Sequence, residues 1–328
     1  MKNKPLSNNN RIGLGCMGMS EFYGENNDEH SLSILRQAYD LGYRHFDTAD
    51  MYGKGHNERL LGRFVEQLGS KRNELCIATK VGIKRDVDGP GSMAIDSSPE
   101  YILKACDESL ARLGVEQIDL YYLHRRQKDV PIEETMGAMQ QLIDAGKIAS
   151  VGLSEVSTET LLAANKVVPI SAIQSEYSLW SRDVEQGMLP LCDELDINFV
   201  AYSPIGRGFL SGNLSQEQVQ DASDLRGKLP RFQPEAFAKN AALLNVLEGV
   251  AQEHDASSAQ VALAWLLSRS DKLHIIPGAR KLPHLTDNYN SAKLSLTDAQ
   301  ISSLSEVFVK ANIEGERYPE PLMHTTNA

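Results

Sequence analysis

The stretch Asp119-Leu120-Tyr121-Tyr122-Leu123-His124 decides how the rest of the chain is read. Four large apolar or aromatic residues run consecutively and stop at a histidine. A strand with one wet face alternates polar and apolar residues, whereas a strand covered on both faces does not. Seven further runs read the same way, at 12–17, 43–48, 75–80, 149–154, 171–176, 198–203 and 273–277. Amphipathic helical patterns lie between them, at 29–41, 56–68, 99–113, 131–145, 158–167, 183–195, 235–253, 257–269, 281–292 and 297–308. Ser98 is the candidate cap of the helix over 99–113, and Thr297 or Ser295 that of the last. Strands joined by helical crossovers predict an α/β chain, a closed (β/α)8 TIM barrel. The alternative is an open doubly wound sheet, which wants a Gly-x-Gly-x-x-Gly opening a helix directly. Here Gly13, Gly15 and Gly18 lead instead into a polar, turn-like stretch.

No composition shift divides the 328 residues, so the expectation is one domain over 1–328 with a polar tail at 311–328. Two long loops, 84–97 and 205–234, fall where a barrel keeps its functional lids. Hydrophobic residues make up 41% and charged residues 23%, the mix of a soluble globular chain. A net charge of −11 with no basic block argues against nucleic-acid or anionic-membrane partners. The opening residues lack the apolar stretch of a signal peptide, and no run reaches the roughly 18 apolar residues of a membrane span. Cys16, Cys76, Cys106 and Cys192 form no Cys-x-x-Cys and read as reduced thiols of a cytoplasmic protein. The eight histidines include no His-x-x-x-His pair, so no metal site is expected.

In a barrel the active site is built at the C-terminal ends of the strands. The second run ends in Asp47, with Tyr52 shortly after; the third ends in Lys80 and the fourth in His124. Ser154, Gln174 and Tyr202-Ser203 occupy the corresponding places in the fifth, sixth and seventh. A tyrosine hydroxyl, with an ordinary pKa of about 10, is a weak acid. A nearby ammonium such as Lys80 favours the phenolate, and Asp47 would hold that ammonium in place. A neutral His124 can donate to a substrate oxygen. This set suits proton delivery to an alkoxide formed as a carbonyl is reduced. It does not suit acyl transfer, since no serine or cysteine lies in a nucleophile elbow.

The segments Phe46-Asp47-Thr48-Ala49-Asp50-Met51-Tyr52-Gly53, Ile77-Ala78-Thr79-Lys80 and Asp119–His124 resemble the signatures of the aldo-keto reductase superfamily. Val151-Gly152-Leu153-Ser154, Gln174-Ser175-Glu176-Tyr177, Val200-Ala201-Tyr202-Ser203-Pro204 and Ile276-Pro277-Gly278-Ala279-Arg280 extend the resemblance over residues 11–292. It implies a barrel that binds NADP(H) across its mouth and reduces aldehydes or ketones. Tyr52 would be the general acid, assisted by Lys80 and Asp47, with His124 orienting the carbonyl. Ser154 and Gln174 would hold the nicotinamide carboxamide, and Tyr202 would stack on the ring. Ser203-Pro204-Ile205-Gly206-Arg207-Gly208 resembles the segment that wraps the pyrophosphate. Gly15, Cys16 and Met17 at the end of the first strand, and Gly278, Ala279, Arg280, Asp287 and Asn288 after the eighth, complete the implied cofactor contacts. Arg280 and Lys281 at a helix start suit a 2′-phosphate. Two positions depart from the common pattern: Glu155 where many members carry Asn, and His284 where many carry Arg. The Gly-Leu-Ser-Glu segment is similar to a bacterial and fungal branch.

A small-molecule carbonyl is the expected partner, met by Tyr23, Met51, Tyr52, His124 and Trp180, with Met93 of loop 84–97 as a further candidate. Such an aromatic and methionine lining favours apolar or aromatic carbonyls. Arg125 and Arg126 could instead meet an anionic substrate or serve structural ion pairs. Two other functions fit parts of the sequence. A nucleotide-sensing regulatory subunit would bind cofactor with little turnover, and a lyase or isomerase would use Lys80 as a Schiff base without nicotinamide.

Overall fold

The computed structural model describes residues 6–21, 26–89, 92–221 and 224–326. Its strands are β1 (Gly13–Gly15), β2 (His45–Asp47), β3 (Cys76–Val81), β4 (Ile83–Arg85), β5 (Met93–Ile95), β6 (Leu120–Leu123), β7 (Val151–Ser154), β8 (Ile170–Glu176), β9 (Asn198–Tyr202) and β10 (Leu273–Ile275). Eight of them pair in parallel in the order β1-β2-β3-β6-β7-β8-β9-β10. A parallel bridge from Ile12 to Ile275 joins the two ends, with the Ile275 N–H donating to the Arg11 carbonyl at 2.9 Å. The ring therefore closes as the uninterrupted apolar runs require, since every strand is covered by helices outside and by side chains inside.

The inside explains the site. Cys76, Ala78, Leu120, Tyr122, Ala172, Val200 and Ile276 form one buried cluster, with Leu6 packed into it. Side chains two residues apart on a strand share a face. Lys80 thus stands one step above Ala78, His124 above Tyr122, Gln174 above Ala172 and Tyr202 above Val200. The apolar plug is the floor on which the polar residues rest. Gly152 makes room for it, because a Cβ there would lie 2.3 Å from the Tyr122 ring.

Several boundaries differ from the sequence reading. Loop 84–97 contributes the antiparallel hairpin β4–β5 and leaves Met93 57% exposed, away from any enclosed wall. The segment 205–234 is a series of short helical turns. The helix expected over 235–253 is two, Pro234–Ala241 and Leu244–Glu253. Beside the break, Asn240 exchanges two hydrogen bonds with the backbone of Glu314 in the tail. The segment 183–195 divides at Gly187. Ser98 turns its hydroxyl to Asp96 rather than capping its helix, whereas Thr297 caps as expected by accepting from the Gln300 N–H. Among the described residues no helix is long and apolar enough to cross a membrane.

Candidate active site

Lys80 is fully buried, and its Nζ lies 2.5 Å from Asp47 Oδ1, 2.8 Å from the Thr48 carbonyl and 3.3 Å from Tyr52 Oη. One ammonium thus joins the end of β2 to the tyrosine of the loop that follows it. The His124 ring meets Tyr52 edge-on, with centroids 6.0 Å apart. The tetrad expected from the strand ends is brought together. Gln174 joins it by donating Nε2–H to Asp47 Oδ2 at 2.7 Å.

The loop carrying Tyr52 is pinned by groups that sequence reasoning passed over. Asn57 accepts from Thr48 Oγ1 and donates to the Cys16 carbonyl. Buried Glu58 accepts from Thr79 Oγ1 and from Arg112 Nε. Both follow Tyr52 closely in the sequence, where their polar character reads as an ordinary helix start.

Burial fixes the charge states. It pushes the Tyr52 hydroxyl above its ordinary value of 10, and Lys80 only partly offsets this. The ammonium acts in the expected direction, yet the net shift is upward, so Tyr52 keeps its proton at neutral pH. Burial also works against charge on Lys80, but Asp47 and Tyr52 overcome it and lift the pKa above that of an ordinary lysine. His124 is held well below 6.5 by burial, then by Arg125 and Lys80, and is neutral. Its Nδ1 is buried with no partner among the described residues.

The remaining expected residues ring this centre. Ser154 Oγ accepts from Arg125 Nη1 at 3.2 Å, and the same nitrogen donates to the His124 carbonyl at 2.6 Å. Tyr202 Oη lies 3.1 Å from Tyr318 Oη. After Tyr202 the chain takes left-handed backbone at Ser203, Gly206, Arg207 and Gly208, with Pro204 and Ile205 inside the turn, which curls it into a cradle. Gly15 donates to the Pro277 carbonyl and Cys16 to the Asp47 carbonyl, setting the β1 end against both neighbours. Met17 packs with Met51 and Tyr52. The Cys16 thiol is buried, which raises its pKa and leaves it inert. Gly278, Ala279 and Arg280 form the turn before the helix Leu282–Asn290, which carries Asp287 and Asn288. The Arg280 carbonyl is 2.8 Å from His30 Nε2.

Trp180 departs from expectation. It is 2% exposed, stacked on Phe209 at 4.2 Å and 8°, and flanked by the edge of Phe232. Its area is spent on supporting the cradle from behind, not on lining an open mouth. Tyr23 lies outside the described residues. The tail also departs from its reading as a simple polar extension. Arg317 grips Glu155 with Nη1 and Nη2 at 3.2 and 3.1 Å, and Arg207 reaches Glu176 at 3.2 Å and Tyr318 Oη at 2.8 Å. Nothing in the tail's aperiodic sequence announces these contacts.

Residues 11–308 match the family described as Aldo/keto reductase family. The chain belongs to the aldo/keto reductases. It is 40% identical over 311 residues, 94% of this chain and 91% of the other, to an aldo-keto reductase of Schizosaccharomyces pombe whose name specifies NADP(+). It is 41% identical over 315 residues, 96% and 90% of the two chains, to a probable aldo-keto reductase of Glycine max. Among solved structures, a glycerol dehydrogenase from Gluconobacter oxydans superposes with a TM-score of 0.82 at 30% identity, covering 90% of each chain. An aldo/keto reductase from Klebsiella pneumoniae in complex with NADP and acetate does so with a TM-score of 0.71 at 25% identity, covering 94% of each. This aldo/keto reductase is therefore an oxidoreductase by family, with a barrel like those of its relatives.

Proposed function

We propose that this aldo/keto reductase uses NADPH to reduce aldehydes and ketones to alcohols, with Tyr52 as the general acid. The observation that carries the reading is the buried Lys80 ammonium placed between Asp47 Oδ1 and Tyr52 Oη. The relatives named for NADP(+) or solved with NADP support the cofactor. The residues on hand fit it. Asn288, in the helix Leu282–Asn290 that follows Arg280, holds a buried Nδ2 donor with no partner among the described residues. The cradle after Tyr202 turns its backbone through four left-handed residues. Ser154, Gln174 and Tyr202 would hold the nicotinamide end, residues 203–208 the pyrophosphate, and Arg280 with Lys281 a 2′-phosphate at a helix N-terminus. Gly15, Cys16, Met17, Gly278, Ala279, Asp287 and Asn288 would line the remainder.

When bound, reduced nicotinamide supplies a hydride to a carbonyl carbon. As the carbonyl oxygen gains charge, neutral His124 donates a hydrogen bond to it and Tyr52 Oη passes it a proton. The tyrosinate left behind is stabilised by Lys80, whose own charge is held by Asp47, and this network is water-poor, which strengthens each contact. Met51, packed beside Tyr52, would meet the substrate. Four buried, unpaired cysteines support a reducing, cytoplasmic setting.

The test follows NADPH consumption by wild type and Tyr52→Phe on a panel of aldehydes. The variant is expected to lose about 10²–10⁴ in kcat while keeping its affinity for NADPH. Loss of NADPH binding in the variant would refute the assigned role. Binding without turnover by wild type on every carbonyl would favour a nucleotide-sensing function.

A further inference from the structure

Three buried cations around the mouth each face a carboxylate: Lys80 faces Asp47 at 2.5 Å, Arg317 faces Glu155 at 3.1 Å and Arg207 faces Glu176 at 3.2 Å. Arg125 does not follow that pattern. Its hydrogen bonds go to two neutral oxygens, the His124 carbonyl and Ser154 Oγ, both through Nη1. Glu155, the carboxylate whose charge acts on Arg125, is already engaged by both terminal nitrogens of Arg317 and by the Glu176 N–H. Arg125 is also only partly buried, unlike Lys80, so a ligand can reach it. It directly follows His124, and its charge acts on Tyr52, Tyr202, Glu155 and Tyr318. A guanidinium has five donors in a fixed fork, and this one keeps only Nη1 occupied beside the reacting centre.

We propose that Arg125 is a specificity-determining residue that receives the carboxylate of an anionic substrate, so that the preferred carbonyls are aldehyde or keto acids rather than neutral compounds. The inference rests on the reductase reading and refines its substrate class. A substrate carboxylate would meet a guanidinium that hydrogen-bonds no carboxylate of the protein among the described residues, and the planar fork matches a carboxylate bidentately. Arg126, the next residue, is not equivalent, because its Nη1 donates to Thr160 Oγ1 at 2.8 Å, in the outer helix Thr158–Val167, and so points away from the strand ends.

The experiment compares kcat/KM for carboxybenzaldehydes and their methyl esters, with NADPH, in wild type, Arg125→Gln and Arg125→Lys. Wild type is expected to favour the acids by at least about tenfold, the range of a hydrogen bond to a charged group. That ratio should collapse toward one in Arg125→Gln, mainly through KM, and recover in part in Arg125→Lys. Fluorescence titration with NADPH runs beside it, both to confirm folding and to locate the effect. Equal use of acids and esters by wild type would overturn the proposal. So would an unchanged ratio in Arg125→Gln, or a loss confined to NADPH affinity, which would assign the arginine to the cofactor. Absence of NADPH-dependent turnover on acids and esters alike would instead bring down the reductase reading itself.

Discussion

At the scale of single residues, the site works by pushing two pKa values apart. Burial lifts Tyr52 above 10 and, with Arg125 and Lys80, depresses His124 well below 6.5. The acid is therefore protonated, and the histidine neutral, across the whole interval between those two values. The kcat for reduction should show no inflection from either group between 6.5 and 10. Arg125→Gln removes one of the charges that hold His124 down, so its acid limb should move upward toward the ordinary histidine value. A pH–rate profile of both proteins checks this. An acid limb that stayed put would mean that the arginine does not act on His124. Lys80, by contrast, is buried with its partner Asp47, so truncating either strands a charge in a low dielectric.

Among elements, the joint between the end of β7 and the C-terminal tail carries most of what the barrel alone lacks. Glu155 sits just past β7 in left-handed backbone, φ 53°, and accepts two bonds from Arg317. Burial works to raise its pKa, but Arg317, Arg125 and the Glu176 N–H overcome that and bring it below the ordinary 4.5. A carboxylate whose pKa is lowered on folding adds stability that is present above 4.5 and lost as pH falls through the folded value. Glu155→Gln should thus cost about 3 kcal/mol at neutral pH, the lower end for breaking one half of a buried pair. Urea unfolding should show the gap to wild type closing as pH drops below 4.5. A gap that stayed constant with pH would mean that packing, not charge, holds the joint. Because Tyr318 and Arg207 lie in the same network with Tyr202, the loosened variant should also expose the tail to protease.

For the molecule as a whole, cofactor and fold are linked. A ligand that binds only the folded chain at about a hundred times its Kd adds about 2.7 kcal/mol of stability. NADPH is expected to raise the melting temperature more than NADH at equal concentration. If Arg280 reads the 2′-phosphate, Arg280→Ala should shrink the NADPH shift and leave the NADH shift as it was. Equal loss for both nucleotides would place the phosphate elsewhere. The two buried surfaces of each strand, plug inside and helices outside, make the barrel one cooperative frame. The tail and the 203–212 cradle are the parts whose order depends on charge pairs formed across it.

The chain order of strands, the eight-stranded barrel and the residues at its strand ends were readable from local pattern alone. Runs such as Leu120–Leu123 lack alternation because both faces are covered, and a two-residue period carries Ala78 to Lys80 and Tyr122 to His124 on one face. These are consequences of backbone geometry, which sequence spacing preserves. Where long-range contact sets the outcome, spacing is silent. Trp180 has the composition of a pocket wall, but it stacks on Phe209, and only the folded loop could show which face of the indole was covered. Asn240 sits in a helical pattern until Glu314 arrives to share its hydrogen bonds. The net upward shift of Tyr52 follows from how completely it is enclosed, a quantity no neighbour in sequence fixes. Arg317 and Glu155 are 162 positions apart, and only tertiary structure brings them together, leaving Arg125 bonded to neutral oxygens among the described residues.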